Sequence, residues 1–300
     1  MYYSLIDSLK AFENKEEFNG PYVAILDSRQ WQEQIDSFGF DFNIKNVEHN
    51  LGQMTKIIFD EKSTSGTFLV PDDNKKEHFF GFVLDKKRIV FMDDDDYVKT
   101  IIGRMSQDKS LFPIHTAGFF YHFIDELNKD DIEFFGRLEN ELDAMEIELV
   151  NKRRASSVRI AEIRSTLRKY MIFYEQLESS IGEMTENKNG LLNQETIQYL
   201  TNYQERLKRL YDFASNIREY SQEIRELRKE MIDLRQNSIN ITIAVATTIF
   251  LPLNLIASWY GMNFAYMPEL QWRYSYHVVT LVCVLIVIGM ILFFKKKRWL

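Results

Sequence analysis

The polar side chains that could handle ions lie near the end of the chain, in a segment that is otherwise apolar. No Asp, Glu, Lys or Arg occurs from Gln236 to Tyr260. Within that segment, alternate steps of three and four residues trace one face of a helix. The seven residues on this face are Asn237, Asn240, Ala244, Thr247, Leu251, Asn254 and Ser258. All of them except Leu251 are polar or small. Unsatisfied amides are costly in hydrocarbon, so on a membrane helix this polar stripe must face protein or water.

Two arrangements would satisfy the polar stripe. Packing between helices through small and amide side chains is common in membranes. A pore is the alternative, and the preceding helix favours it, because its apolar stripe is continuous with the polar one. Several copies could join along that helix and leave a channel on their shared axis. Two spans in one chain cannot enclose a pore, so this interpretation requires an oligomer.

Two apolar runs are long enough to cross a bilayer. Ile239 to Tyr260 has 22 residues, about 33 Å as a helix, against a hydrocarbon layer of about 30 Å. A second run of 18 residues, His277 to Phe294, follows a connector of 13, Gly261 to Arg273. Both chain ends therefore lie on one side, and the basic tail Lys295–Arg298 predicts that this side is the cytoplasm. We expect a multi-pass protein of the inner or plasma membrane with cytoplasmic termini.

Helical periodicity fills the middle of the chain. Apolar stripes at three- and four-residue spacing run from Phe120 to Leu149, from Ile163 to Met184 and from Leu207 to Leu234. They predict three long helices whose stripes are packing surfaces. The third helix has no stop signal, because neither Pro nor Gly occurs between Leu191 and Leu251. It is therefore predicted to continue into the first span.

The first 115 residues predict an α/β domain. The segments GPYVAILDS, GTFLVP, EHFFGFVLD and KRIVFMD have the composition of strands, with helices at Trp31–Phe38 and Asp96–Met105 between them. The order of the strands cannot be read from the sequence. The acidic run Asp93–Asp96 follows a strand and could attract a divalent cation. Capping of the next helix by these aspartates is the favoured interpretation.

These patterns together predict an α+β membrane protein with a cytosolic α/β domain and long stalk helices that continue into two C-terminal spans. The predicted parts are the α/β domain (1–115), a helical hairpin (116–190), a stalk helix with the first span (191–260), an extracytoplasmic loop (261–273), the second span (274–294) and a basic tail (295–300).

Composition excludes several function classes. The net charge of −7 disfavours nucleic-acid binding, and the single cysteine, Cys283, permits no disulfide or cysteine-based metal site within one chain. The N-terminus lacks the pattern of a secretory signal, so the charged portion is expected in the cytosol. No phosphate-binding glycine loop, HExxH or nucleophile elbow occurs, and we predict neither an enzyme nor a cofactor. The histidines are scattered: His49, His78, His115, His122 and His277.

The C-terminal motifs carry a family resemblance. The sequence reads YGMNF and then YMPELxW, after a helix that ends in PLxxIAxxYGMN and before the tail KKKRWL. In this arrangement the chain resembles the CorA family of magnesium transporters, densely over residues 236–300 and more weakly over 116–235. The resemblance implies a homopentameric funnel whose stalk-and-span helices line a pore inside an outer ring of second spans. It also implies Mg²⁺ as substrate and possible regulator, with membrane lipid as the surrounding partner.

The resemblance assigns a selectivity filter to Gly261, Met262 and Asn263. Mg²⁺ gives up its water reluctantly, so the Gly261 carbonyl and Asn263 Oδ1 would hold the ion through its hydration water. Carboxylates at this position would bind a divalent ion too tightly to release it. Aromatic side chains at the membrane interface are expected to support the loop: Tyr260, Phe264 and Trp272.

Further positions follow from the same resemblance. Leu251 falls where a bulky apolar residue could close the pore by dewetting, and Asn237 and Asn254 match polar pore positions. The stalk position that would sense cytosolic Mg²⁺ through an acid is Asn202 here. No counterpart of the family's His-Pro and Glu-Asp segment occurs near residues 43–52. Two carboxylates elsewhere on the stalk could compensate as metal-binding residues: Glu219 and Glu226.

Two other functions remain open at this point. A transporter of Co²⁺, Ni²⁺ or Zn²⁺ from the same family is the runner-up, because the filter handles hydrated divalent ions in general. A membrane-anchored coiled-coil scaffold would explain the stalk and the two spans. It would not explain the asparagines of the polar stripe or the Gly-Met-Asn loop.

Overall fold

The chain folds into two compact units, Met1–Arg225 and Glu226–Leu300. The structure is a computed structural model, and it describes residues 1–6, 9–12, 20–34, 38, 54–72, 76–107, 115–151, 156–263 and 267–297.

Among the described residues, the first unit is built on a seven-stranded sheet. Its strands are β1 (Tyr2–Ser4), β2 (Ala11–Phe12), β3 (Tyr22–Leu26), β4 (Lys56–Phe59), β5 (Thr64–Pro71), β6 (Glu77–Leu84) and β7 (Arg88–Met92). Their order across the sheet is β2-β1-β3-β7-β6-β5-β4. Only β3 and β7 pair in parallel, while the other neighbours are antiparallel. The four predicted strands are confirmed as β3, β5, β6 and β7.

Aromatic side chains fill one face of the sheet. Four phenylalanines from its central strands are fully buried: Phe68, Phe80, Phe82 and Phe91. Helix α3 (Thr116–Leu127) packs Phe120 and Phe123 on them, with ring centroids 4.7 Å from Phe82 and Phe91 respectively. Side chains alternate across a strand, so Val90 points to the opposite face, where it packs with Trp31 of α1 (Ser28–Gln34). The sheet therefore carries helices on both faces, as the α/β prediction requires. Helix α1 begins three residues before the predicted Trp31–Phe38 segment.

The acidic run after β7 caps the next helix, α2 (Tyr97–Met105). The Asp93 carboxylate accepts hydrogen bonds from the backbone N–H of Val98 at 2.8 Å and of Asp95 at 3.2 Å. Asp94 accepts one from the N–H of Ser28 at 2.7 Å. The capping interpretation is therefore confirmed for Asp93, while the side chain of the N-cap residue Asp96 makes no capping hydrogen bond and Asp94 bonds to the start of α1. Across the described parts of the chain, no three His, Cys, Asp or Glu side chains are grouped so that they could hold a metal ion.

The apolar stripe from Phe120 to Leu149, predicted as one helix, is divided between two. Helix α3 ends at Leu127 and α4 (Asp131–Val150) begins after a three-residue turn. Two side chains of the long helix α6 (Gln194–Tyr260) hold this turn: the Tyr203 hydroxyl donates to the Ile124 carbonyl at 2.8 Å, and Arg206 Nη2 donates to the Asn128 carbonyl at 3.2 Å. A continuous helix would need both carbonyls for its own N–H groups. The predicted hairpin therefore contains α3, α4 and α5 (Ser157–Thr185).

The long uninterrupted helix is confirmed. Helix α6 spans Gln194–Tyr260, 67 residues, and α7 spans Ser275–Lys296. Both are long and apolar enough to cross a membrane, judged by length and composition. Between them the described part of the connector includes a single 3₁₀ turn, Pro268–Gln271.

Candidate functional site

Helices α6 and α7 of the second unit are each covered along one side. The less exposed residues of α6 recur at helical spacing: Ile241, Val245, Ile249, Pro252, Leu253 and Ile256. Those of α7 do the same: Ser275, Val279, Cys283, Ile286, Val287, Met290 and Phe294. Each set forms a single stripe, so we infer that the two helices cover one another along these faces.

The polar stripe lies on a different side of α6. All seven of its residues are exposed in the chain, including Leu251 with 65% of its surface accessible. Helix α7 therefore leaves the stripe uncovered. An open groove of about 740 Å³ runs along this surface from Ile243 to Ala257, and three stripe residues line it: Thr247, Leu251 and Asn254. The structure brings these predicted pore-lining residues to one continuous surface.

A proline interrupts the backbone bonding of α6 beside this groove. Pro252 lies inside the helix and has no N–H to offer the carbonyl of Thr248. Membrane helices tolerate such a position where neighbouring groups satisfy the freed carbonyl. Pro252 itself is half-buried on the covered side of the helix.

The Gly-Met-Asn loop begins as the helix ends. The N–H of Gly261 donates to the Ala257 carbonyl at 3.0 Å, and that of Met262 donates to the Trp259 carbonyl at 3.3 Å. A Cβ at Gly261 would approach the Ala257 carbonyl oxygen to 3.1 Å, so a larger residue would crowd this turn. Met262 and Asn263 are exposed. No hydrogen-bond partner for the Asn263 amide occurs in the described part of the chain.

Aromatic residues follow the loop in the described chain. The Trp272 ring meets the Tyr274 ring at 6.1 Å with an interplanar angle of 75°. Tyr260 and Trp272 are both exposed, 37% and 57%. Such side chains suit the headgroup level of a membrane. Phe264, the third predicted supporting residue, lies outside the described residues.

The stalk residues that were predicted to sense metal are spread along the exposed surface of α6. Asn202, Glu219 and Glu226 are each exposed in the chain. None of them belongs to a group of three candidate ligands within the residues that the structure describes. The segment at 43–52 and the end of the basic tail, Arg298, lie outside the described residues, while Lys295 and Lys296 form the last turn of α7.

The described histidines have separate surroundings, as their scatter in the sequence suggested. The His78 ring stacks on Tyr97 at 4.0 Å, and its Nε2 lies 3.6 Å from Asp72 Oδ2. His115 Nε2 lies 3.1 Å from the Thr196 hydroxyl. His277 packs edge-on to its neighbour Tyr276. The fourth, His122, packs against Tyr121, and His49 lies outside the described residues.

Sequence reasoning missed a buried polar cluster at the turn between α3 and α4. Asp131 Oδ2 accepts hydrogen bonds from the Tyr174 hydroxyl at 2.7 Å and from the Asn128 amide at 2.9 Å, and the Tyr203 hydroxyl oxygen lies beside Asn128 Oδ1. Burial raises the pKa of the Asp131 carboxyl, while these two hydrogen bonds and the Arg206 charge act in the opposite direction. A tyrosine within an apolar stripe, Tyr174, was the available signal, because a buried hydroxyl needs a partner.

The sequence matches known proteins over most of its length. A family model described as CorA-like Mg²⁺ transporter protein matches residues 28–296. The "Cobalt/magnesium transport protein CorA" of Thermotoga maritima is 28% identical over 181 residues, which cover 60% of this chain and 52% of that protein. The "Magnesium transport protein CorA" of Escherichia coli K12 is 42% identical over 64 residues, 21% of this chain and 20% of that protein. The chain thus spans about half the length of the Thermotoga relative and about a fifth of the Escherichia relative.

A solved structure shares the fold. The CorA magnesium transporter from Methanocaldococcus jannaschii superimposes with a TM-score of 0.83 over 96% of this chain and 95% of that one, at 16% sequence identity. At this identity the likeness concerns the fold alone. It covers both units, and so agrees with the α/β portion, the long helix and the C-terminal apolar helix.

Proposed function

Since the chain belongs to the CorA-like Mg²⁺ transporter family, we propose that it transports divalent cations across a cell membrane, with Mg²⁺ as the main substrate. The family is one of ion transporters and not of enzymes, and no catalytic residue is assigned. The ion would pass in its hydrated form through a pore built by five copies of the chain. The membrane potential would drive it, without nucleotide hydrolysis.

The observation that carries this proposal is the uncovered polar stripe of α6. A membrane helix cannot present Asn237, Asn240 and Asn254 to lipid without cost. These side chains are exposed, so the residues that the structure describes do not cover their amides. Further copies of α6 around a shared axis would do so, with water between them. The scaffold alternative leaves the stripe unexplained.

The filter chemistry follows from the exposed loop. Five copies of Asn263 Oδ1, with the Gly261 carbonyls, would accept hydrogen bonds from the water shell of Mg²⁺. Neutral oxygens hold such an ion weakly enough to let it leave, which conduction requires. Leu251 lies ten residues before Gly261, about 15 Å along the helix toward its cytoplasmic end. A ring of Leu251 side chains would close the path there by dewetting.

Orientation and regulation complete the proposal. The lysines at the end of α7 favour a cytoplasmic location for both termini, which would put the Gly-Met-Asn loop at the outer mouth. Cytosolic Mg²⁺ would regulate the pore at Glu219 and Glu226, which are exposed carboxylates on α6. Asn202 would not contribute, since a neutral amide attracts the ion less.

Co²⁺ is the second candidate substrate. It is favoured by the name of the Thermotoga relative, which includes cobalt. Neutral oxygen acceptors that act through the hydration shell do not rank divalent ions sharply, so Ni²⁺ and Zn²⁺ share this alternative.

The test is cation uptake into liposomes that contain the purified full-length protein. An inside-negative potential supplies about 2.3 kcal/mol per charge for each 100 mV, and twice that for a divalent ion. We expect uptake to follow the imposed potential in the absence of ATP, fastest for Mg²⁺ among Mg²⁺, Co²⁺, Ni²⁺ and Zn²⁺. Liposomes without protein provide the control. Uptake that continued unchanged with no potential and equal concentrations would refute the channel, and the scaffold predicts no uptake of any ion.

A further inference from the structure

Threonine hydroxyls of the first span donate to the helix that carries them. The Oγ1 of Thr242, Thr247 and Thr248 lies 3.0, 2.8 and 2.7 Å from the backbone carbonyl four residues earlier. A hydroxyl has one proton to donate and two lone pairs that accept. Once the proton is given to the carbonyl, the oxygen can act toward any other molecule only as an acceptor.

Thr247 is the member of this set that lies on the polar stripe. It lines the open groove together with Leu251 and Asn254, and neither Thr242 nor Thr248 is among the described residues that line this groove. All three threonines are exposed in the chain. Thr247 thus places an acceptor-only oxygen on the candidate ion path, four residues, or about 6 Å along the axis, from Leu251.

We propose that Thr247 is a further ion-contacting residue that accepts hydrogen bonds from the water shell of the passing cation next to the Leu251 constriction. This inference rests on the proposed function, since it needs several copies with their stripes around one axis. Water around a cation turns its oxygens inward and its hydrogens outward, so a hydrated cation offers only donors. A ring of acceptor-only oxygens therefore suits the cation shell.

Because Thr247 lies next to Leu251, its hydrogen bonds to the hydrated ion affect passage through the constriction. A hydrated ion that approaches an apolar ring finds no hydrogen-bond partner there. The Thr247 oxygens offer partners one turn before the ring, and Asn254 offers them one turn beyond it. The ion is thus held on both sides of the constriction, which lowers the barrier between the two positions.

The experiment compares three substitutions in the full-length protein in liposomes. Thr247→Val removes the oxygen and keeps the branched shape, whereas Thr247→Ser keeps the hydroxyl. Thr248→Val is the matched control, because it removes a hydroxyl with the same backbone bond from outside the stripe. We expect Thr247→Val to lower Mg²⁺ influx about tenfold, which corresponds to a barrier higher by about 1.4 kcal/mol. The other two variants should stay within about twofold of the unmodified protein.

Several outcomes would overturn the inference. One is a Thr247→Val protein that conducts as well as the unmodified protein, and another is an equal loss in Thr248→Val. Cross-linking of each variant reports its oligomeric state, and loss of the oligomer in Thr247→Val would place Thr247 in helix packing instead. If the unmodified protein carried no divalent cation, the proposed function itself would fail. Normal transport with an insensitive Thr247 would defeat this inference alone.

Discussion

Replacing Asp131 by Ala is expected to destabilise the first unit far more than the same change at its neighbour Asp130. Asp131 is 8% exposed and accepts two hydrogen bonds, from Tyr174 and Asn128. The Asp130 side chain is 71% exposed, and it pairs with Arg104 at 2.8 Å on the surface. The two aspartates are adjacent in the chain, so the comparison isolates the effect of burial.

The structure sets the size of the difference. In Asp131→Ala, the Tyr174 hydroxyl and the Asn128 amide lose their acceptor at a buried site, and each unsatisfied donor costs about 1–3 kcal/mol. Removal of a buried carboxylate relieves part of that cost, so we expect a net loss of about 3 kcal/mol. Asp130→Ala removes a surface ion pair worth at most about 1 kcal/mol. At about 2 °C per kcal/mol for a chain of this size, Tm should fall by about 6 °C in the first variant and by about 2 °C or less in the second.

The charge of Asp131 adds a dependence on pH. Burial raises the pKa of this carboxyl in the folded protein above its ordinary value of about 3.9. The folded state therefore holds the proton more tightly than the unfolded state. The contribution of this raised pKa to the free energy of unfolding is fully present below the pKa of Asp131 in the unfolded state. It is lost as pH rises through the pKa of Asp131 in the folded state. Within that window, each pH unit lowers the stability by up to about 1.4 kcal/mol. Asp131→Asn keeps an acceptor for Tyr174 and carries no charge, so this contribution to the pH dependence should disappear.

The assay is thermal unfolding of the full-length protein in detergent micelles, followed by helical circular dichroism from about pH 4 to about pH 8. The unmodified protein, Asp131→Ala, Asp131→Asn and Asp130→Ala are compared at each pH. The reasoning would be refuted if the two alanine variants lost equal stability. If the Tm of the Asp131→Asn protein changed with pH as steeply as the Tm of the unmodified protein, Asp131 would not titrate as its burial indicates.

Substitutions at Leu251, Asn263 and Glu226 in the second unit test the candidate ion path and its regulation. Leu251→Ser should hydrate the constriction and raise basal cation leak about tenfold or more. Leu285→Ser on α7, at a leucine of similar exposure (59%), is the control and should not raise the leak. An equal leak in both variants would place the gate at another residue. Asn263→Ala should abolish most divalent flux and leave the cross-linked oligomer intact, because it deletes the amide oxygen and keeps the backbone course, whereas Asn263→Asp should bind cations more strongly and release them more slowly. A fully active and selective Asn263→Ala protein would mean that this loop does not choose the ion. Glu226→Gln should raise the internal Mg²⁺ concentration that closes the pore without changing flux at low internal Mg²⁺, and an unchanged closing concentration would remove Glu226 from regulation.

The sequence determined the features that depend on local spacing. A stretch without Pro or Gly from Leu191 to Leu251 and an unbroken helical period predicted the long helix α6, because each turn of a helix needs only its own neighbours, and the helix continues through Pro252. The four strands that were predicted in the first unit carry β-branched and aromatic residues between turn signals, and these local preferences sufficed to place them. The stripe from Asn237 to Ser258 was equally readable, because its residues share one side of one helix.

Tertiary structure decided which distant segments meet. The parallel pairing of β3 with β7 joins residues more than sixty positions apart, and no local preference encodes that choice. The break between α3 and α4 escaped detection because the apolar period continues across it. Its cause is a pair of hydrogen bonds from Tyr203 and Arg206 on α6. Which side of α6 is less exposed was likewise visible only in the structure, which leaves the polar stripe, with Thr247 on it, exposed.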